Sequence, residues 1–84
     1  MHYVYVLLSE VDGKLYTGCT SDLRNRVRKH NEGNVPATKC RVPLKLVYYE
    51  ASLSIDDAFR REKYLKTSYG KRFIRSRLRF YFTG

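Results

Sequence analysis

Two short runs rich in β-branched and aromatic residues, Tyr3-Val4-Tyr5-Val6-Leu7-Leu8 and Leu15-Tyr16-Thr17-Gly18, flank the segment Glu10-Val11-Asp12-Gly13-Lys14. Strand-forming runs around a glycine-containing turn specify a β-hairpin, with residues 3–8 and 14–18 as its arms. Side chains alternate along a strand, so Tyr3, Tyr5 and Leu7 share one face, and Tyr16 and Gly18 share a face of the partner arm. The pattern therefore predicts that Tyr5 and Tyr16 look into one cleft.

Thr20, Ser21 and Asp22 offer capping oxygens to a helix of about three turns that ends at His30 or Asn31, with Gly33 as its stop. Leu23, Arg26, Val27 and His30 recur at helical spacing, which turns Arg26 and His30 inward and leaves Arg24, Arg28 and Lys29 elsewhere on the surface. Residues 34–43 are polar, hold both prolines and lack periodicity, so they read as a loop near the substrate. Leu44 to Ala51 reads as a third strand. A second helix follows, capped by Ser54, with Asp56 and Asp57 in its first turn. Its inner stripe is Ile55, Ala58, Phe59, Glu62 and Leu65, so Glu62 stands where an apolar residue is expected. A carboxylate there needs a partner or a metal. Tyr69-Gly70 interrupts the pattern, and Lys71 to Arg79 read as a third helix whose Phe73, Ile74, Arg77 and Leu78, with Tyr81 beyond them, cover the core. The order β-β-α-β-α-α makes a single α+β domain over residues 1–84, with helices around a small, mainly antiparallel three-stranded sheet.

Charge narrows the function. Lys and Arg number 17 against 8 Asp and Glu, a formal charge of +9, and no acid follows Glu62 while seven basic residues do. Such asymmetry suits a polyanion, nucleic acid first, better than it suits mere solubility. Arg24, Lys66, Lys71, Arg72 and Arg75 are the candidate phosphate contacts. No apolar stretch approaches membrane-spanning length. Cys19 and Cys40 lack metal-knuckle spacing, and without a signal peptide they read as reduced thiols of a cytoplasmic protein. A monomer is the expected state.

The ordered set Tyr5, Tyr16, Arg26, His30 and Glu62 resembles the active-site signature of the GIY-YIG nuclease superfamily, in particular its short single-domain bacterial members. Tyr3-Val4-Tyr5 stands for Gly-Ile-Tyr and keeps only the last tyrosine. Tyr16-Thr17-Gly18 stands for Tyr-Ile-Gly, with Thr17 in place of isoleucine. Arg26 falls at the family's helix arginine, His30 at a histidine found in many members, and Glu62 at the metal-binding glutamate. The family often has a late asparagine near its site. No Asn follows Asn34 here, which leaves that side of the phosphate to the C-terminal Arg and Lys residues.

The resemblance implies a metal-dependent endonuclease acting on DNA and leaving 5′-phosphate and 3′-hydroxyl ends. Tyr5 would be the general base, Tyr16 would bind phosphate or a metal-bound water, and Arg26 would clamp the scissile phosphate. His30 would accept the Tyr5 proton or position it, and Glu62 would hold one Mg²⁺ or Mn²⁺. Plainer roles compete at each position: tyrosines as core filler, an Arg26 stem along the core edge, His30 capping its helix C-terminus, and Glu62 in a salt bridge to Arg26 or Arg61. The alternative for the whole chain is a nucleic-acid-binding module on the same scaffold with little or no catalysis.

Overall fold

A computed structural model describes all residues, 1–84. β1 (His2–Ser9), β2 (Leu15–Thr20), α1 (Leu23–Asn31), a 3₁₀ helix (Pro36–Arg41), β3 (Leu44–Ser52), α2 (Ile55–Leu65), α3 (Ser68–Arg77) and a short α4 (Arg79–Thr83) follow in order. The sheet has the order β2-β1-β3, antiparallel throughout. It is the α+β arrangement expected from the sequence.

The hairpin turn closes as its residues require. Gly13 takes φ +68°, where a side chain would be strained, and the Ser9 hydroxyl oxygen accepts N–H bonds from Val11 and Asp12. Register then fixes the faces. Tyr5 lies opposite Gly18 and Leu7 opposite Tyr16, so the tyrosines share a face as alternation requires. β1, in the middle, feeds two cores. Tyr5 and Leu7 pack with Leu44, Leu23 and Val27 under α1, whereas Val4 and Val6 pack with Ala58, Leu65 and Ile74 under α2 and α3.

α1 starts where the Asp22 carboxylate accepts the Asn25 N–H at 3.3 Å and stops at Gly33, φ +77°. The Asn31 side chain ties it to β3, donating to the Leu44 carbonyl at 2.9 Å and accepting the Leu44 N–H at 2.7 Å.

Five expectations need correction. Residues 34–43 are not a plain loop: Pro36 opens the 3₁₀ helix, and Val35 and Thr38 are buried beneath it. The Ser54 side chain makes no capping bond to α2. Ile55 and Phe59 are not core residues. α2 is turned so that Ala58 and Leu65 face the sheet, and Ile55 and Phe59 border an outer groove with His2 and Cys19. Finally, Tyr69-Gly70 does not break the third helix, which begins at Ser68 with the Thr67 side chain accepting the Gly70 N–H at 3.1 Å. A side chain on Gly70 would strike the α2 backbone at Tyr64 and Leu65, so this glycine permits two helices to touch. The helix ends at Arg77, which is exposed rather than covering the core, with Tyr81 about half exposed beyond it and Phe82 packed on the core in its place.

Candidate active site

Four of the five candidate residues meet on the α1 face of the sheet. The Tyr5 oxygen lies 2.8 Å from His30 Nε2 and accepts a longer hydrogen bond from Arg26 Nε at 3.4 Å. The Tyr16 ring meets the His30 ring edge-on, centroids 5.1 Å apart. Inward periodicity along α1 placed Arg26 and His30 here, and strand register placed the phenols.

His30 is completely buried. Its ring does not cap the helix end: Nε2 faces Tyr5 and Nδ1 faces the Thr38 hydroxyl at 2.7 Å. Burial, and then the Arg26 charge, holds its pKa below the ordinary histidine value. Burial raises the Tyr5 pKa, the Arg26 hydrogen bond and charge oppose that, and Tyr16 and Glu62 add smaller upward contributions. The free protein therefore carries Tyr5 as a phenol at neutral pH.

Arg26 has no carboxylate partner. Its only side-chain hydrogen bond is to Tyr5, so its Nη donors meet no protein acceptor. Gly18 explains how Tyr5 fits: a Cβ there would collide with the phenol oxygen.

Glu62 makes no hydrogen bond or ion pair with the other four. It sits on α2, which packs through Ala58 and Leu65 on the Val4 and Val6 side of β1, and its carboxylate pairs with Lys66 at 3.2 Å, not with Arg26 or Arg61. Arg61 instead grips Glu50, Nε to Oε1 at 3.0 Å and Nη2 to Oε2 at 3.0 Å. The Glu62 charge nevertheless reaches Tyr5 on one face and, on the other, Cys19, whose pKa is raised by burial first and by Glu62 second. No three His, Cys, Asp or Glu side chains cluster as a metal cage. A lone carboxylate, one-fifth exposed and neutralised only by a flexible surface lysine, suits a hard cation that keeps waters and phosphate oxygens as its other ligands.

The five candidate phosphate contacts do not form one patch. Lys71 and Arg75 line a concavity with Lys14, Arg41 and Asp12, Arg72 lies over the Tyr69 ring, and Lys66 is engaged by Glu62. Arg24 borders the largest cavity, about 550 Å³, with Tyr3, Asp22, Val27 and Tyr49. None of the five site residues lines that cavity. Sequence reasoning missed Thr38, Lys14 and Arg41. Thr38 lies in an aperiodic stretch with no local signal, and the two basic residues are far apart along the chain. No helix is long and apolar enough to cross a membrane.

Comparison with known proteins gives concordant results. The chain is 42% identical over 67 residues to a UPF0213 protein of Staphylococcus saprophyticus, covering 79% of this chain and 80% of that one. It is 43% identical over 67 residues to a UPF0213 protein of Staphylococcus epidermidis, with the same coverage. The solution NMR structure of a UPF0213 protein from Bacillus halodurans superposes with a TM-score of 0.57 at 37% identity, covering 89% of this chain and 82% of the other. The GIY-YIG catalytic domain matches residues 1–81. A match that takes in both tyrosine strands and every helix from α1 to α3 makes this chain a member of the GIY-YIG family.

Proposed function

We propose that this protein is a metal-dependent endonuclease that hydrolyses phosphodiester bonds in DNA. The observation that carries the reading is Arg26: a guanidinium beside the buried Tyr5–His30 pair, with no carboxylate to neutralise it and its Nη donors unused by the protein. A planar fork held open in this way is complementary to a phosphate.

Arg26 binds the scissile phosphate and neutralises the charge that builds on its oxygens during in-line attack. Tyr5, as the phenolate, takes the proton of the attacking water, and the neighbouring guanidinium stabilises that phenolate against the cost of burial. Tyr16, whose hydroxyl makes no hydrogen bond within the protein, binds a phosphate oxygen or the attacking water. Glu62 would hold a divalent cation, Mg²⁺ or Mn²⁺, which when bound supplies Lewis-acid stabilisation of the phosphoryl oxygens. Lys71 and Arg75, joined by Lys14 and Arg41, carry flanking phosphates.

The second reading, a binding module with little turnover, draws on the Glu62–Lys66 pair, which satisfies the carboxylate without metal. The deciding experiment is cleavage of supercoiled and branched DNA, with RNA in parallel, in Mg²⁺ and Mn²⁺. Wild type is expected to cut, and Glu62→Ala and Arg26→Ala to fail while keeping their circular dichroism. Salt-sensitive binding without turnover in any metal would favour the second reading.

A further inference from the structure

We propose that Thr38 is a positioning residue that sets the tautomer of His30, so that the imidazole donates its Nε2–H to the Tyr5 oxygen instead of accepting the Tyr5 proton. The inference deepens the nuclease reading and rests on it for its link to catalysis, but the tautomer itself follows from counting hydrogens.

Tyr5, His30 and Thr38 form a chain of two hydrogen bonds, 2.8 Å and 2.7 Å long. His30, held neutral by burial and by Arg26, contributes one ring hydrogen, and each hydroxyl contributes one. Three hydrogens share two bonds, so one is left over. If Nδ1 carries the ring hydrogen, the left-over one is on Thr38. That residue is fully buried and its hydroxyl has no partner but Nδ1, and a buried donor without an acceptor is costly. If Nε2 carries it, Thr38 donates to Nδ1 and the surplus hydrogen is on Tyr5.

Only the Tyr5 end of the chain adjoins part-exposed polar side chains, Arg26 and Tyr16, whereas the Thr38 end is sealed. A ligand oxygen or water entering there can take up the surplus hydrogen. Loss of that one proton to solvent water at the Tyr5 end satisfies the whole cluster: the phenolate oxygen receives His30 Nε2–H and Arg26 Nε–H, and Nδ1 receives the Thr38 hydroxyl. Arg26 is an obligate donor, so it cannot compete for the role of acceptor. The charged and titratable groups acting on Tyr5 are Arg26, Tyr16 and Glu62, and none of them supplies an alternative acceptor within hydrogen-bond distance. Thr38 thus acts through His30 to make Tyr5 a base.

The test is ¹⁵N NMR of the His30 ring at neutral pH in wild type, Thr38→Ser and Thr38→Val, with cleavage measured alongside. Wild type and Thr38→Ser are expected to show a protonated Nε2 and an unprotonated Nδ1. In Thr38→Val the preference reverses or mixes, and cleavage slows roughly tenfold, the rate equivalent of one hydrogen bond, while Thr38→Ser keeps the wild-type rate. A wild-type ring protonated at Nδ1 overturns the proposal, as does a folded Thr38→Val protein with an unchanged tautomer. Should Thr38→Val not fold, the wild-type and Thr38→Ser spectra decide alone. The expected tautomer in a protein that cuts nothing would count against the nuclease reading and leave the tautomer assignment standing.

Discussion

The Tyr5 phenol lies over the bare backbone of Gly18, its partner across the β1–β2 ladder, in space that any β-carbon would occupy. The glycine of the second motif is therefore a steric condition on the tyrosine of the first. Gly18→Ala is expected to displace the phenol from His30, destabilising the fold by about 1–3 kcal/mol through overpacking and lowering cleavage more than the loss of folded protein accounts for. Urea unfolding beside single-turnover cleavage separates the two effects. An alanine variant with wild-type rate would show that Tyr5 has no fixed post.

Arg26→Lys keeps a positive charge but loses the fork. Cleavage should fall about hundredfold, the scale of removing one preorganised donor from a developing oxyanion, while stability changes by no more than about 1 kcal/mol, since one long hydrogen bond is lost. Comparable rates for the two proteins would reduce Arg26 to a point charge.

The Glu62–Lys66 pair is an i,i+4 contact with the lysine half exposed, of the kind worth roughly 0.3–0.5 kcal/mol. A cation at Glu62 has only that weak tie to displace. Lys66→Ala should lower the Mg²⁺ concentration for half-maximal cleavage, and Glu62→Gln should abolish the metal response. A metal titration unmoved by either change would place the cation elsewhere.

Two pH dependences have opposite origins. The folded chain keeps His30 below its ordinary pKa, whereas the unfolded chain takes up that proton as pH falls through about 6.5. Stability from this group is complete above that value and declines below it until the folded pKa is reached. Urea midpoints near pH 7.5 and pH 5.5 should differ less in His30→Gln than in wild type. Tyr5 is raised by burial, so kcat/KM, which reports the free enzyme, should climb with pH through the alkaline range without levelling below about pH 10. A flat profile between neutrality and that point would remove Tyr5 as base.

Periodicity made much of this legible. Alternation in β1 and β2 placed Tyr5, Tyr16 and Gly18 on one face, and the 3.6-residue repeat of α1 turned Arg26 and His30 toward them. These are local rules, and the elements obeyed them. Thr38 was not legible, because its role depends on a 3₁₀ turn returning to the end of a helix eight residues earlier. Lys14, Arg41, Lys71 and Arg75 come together only when the sheet and α3 are assembled. Ile55 and Phe59 were misread because α2 sits on the sheet through a smaller contact than its apolar stripe suggests, with Ala58 as the close point. Gly70 read as a breaker because a sequence cannot distinguish a chain stop from a helix–helix contact.

β1 sends Val4 and Val6 into one core and Tyr5 and Leu7 into the other. Inserting or deleting one residue between Val6 and the hairpin turn would exchange the two sets, bringing a valine methyl to the Tyr5 position and the phenol into the apolar layer beneath α2. Point substitutions at Val4, Val6 or Leu7 cost packing, but such a change in strand length displaces Tyr5 itself. Lineages of this fold should accordingly vary in length at the hairpin tip and after Gly33, and keep the first strand constant in residue count.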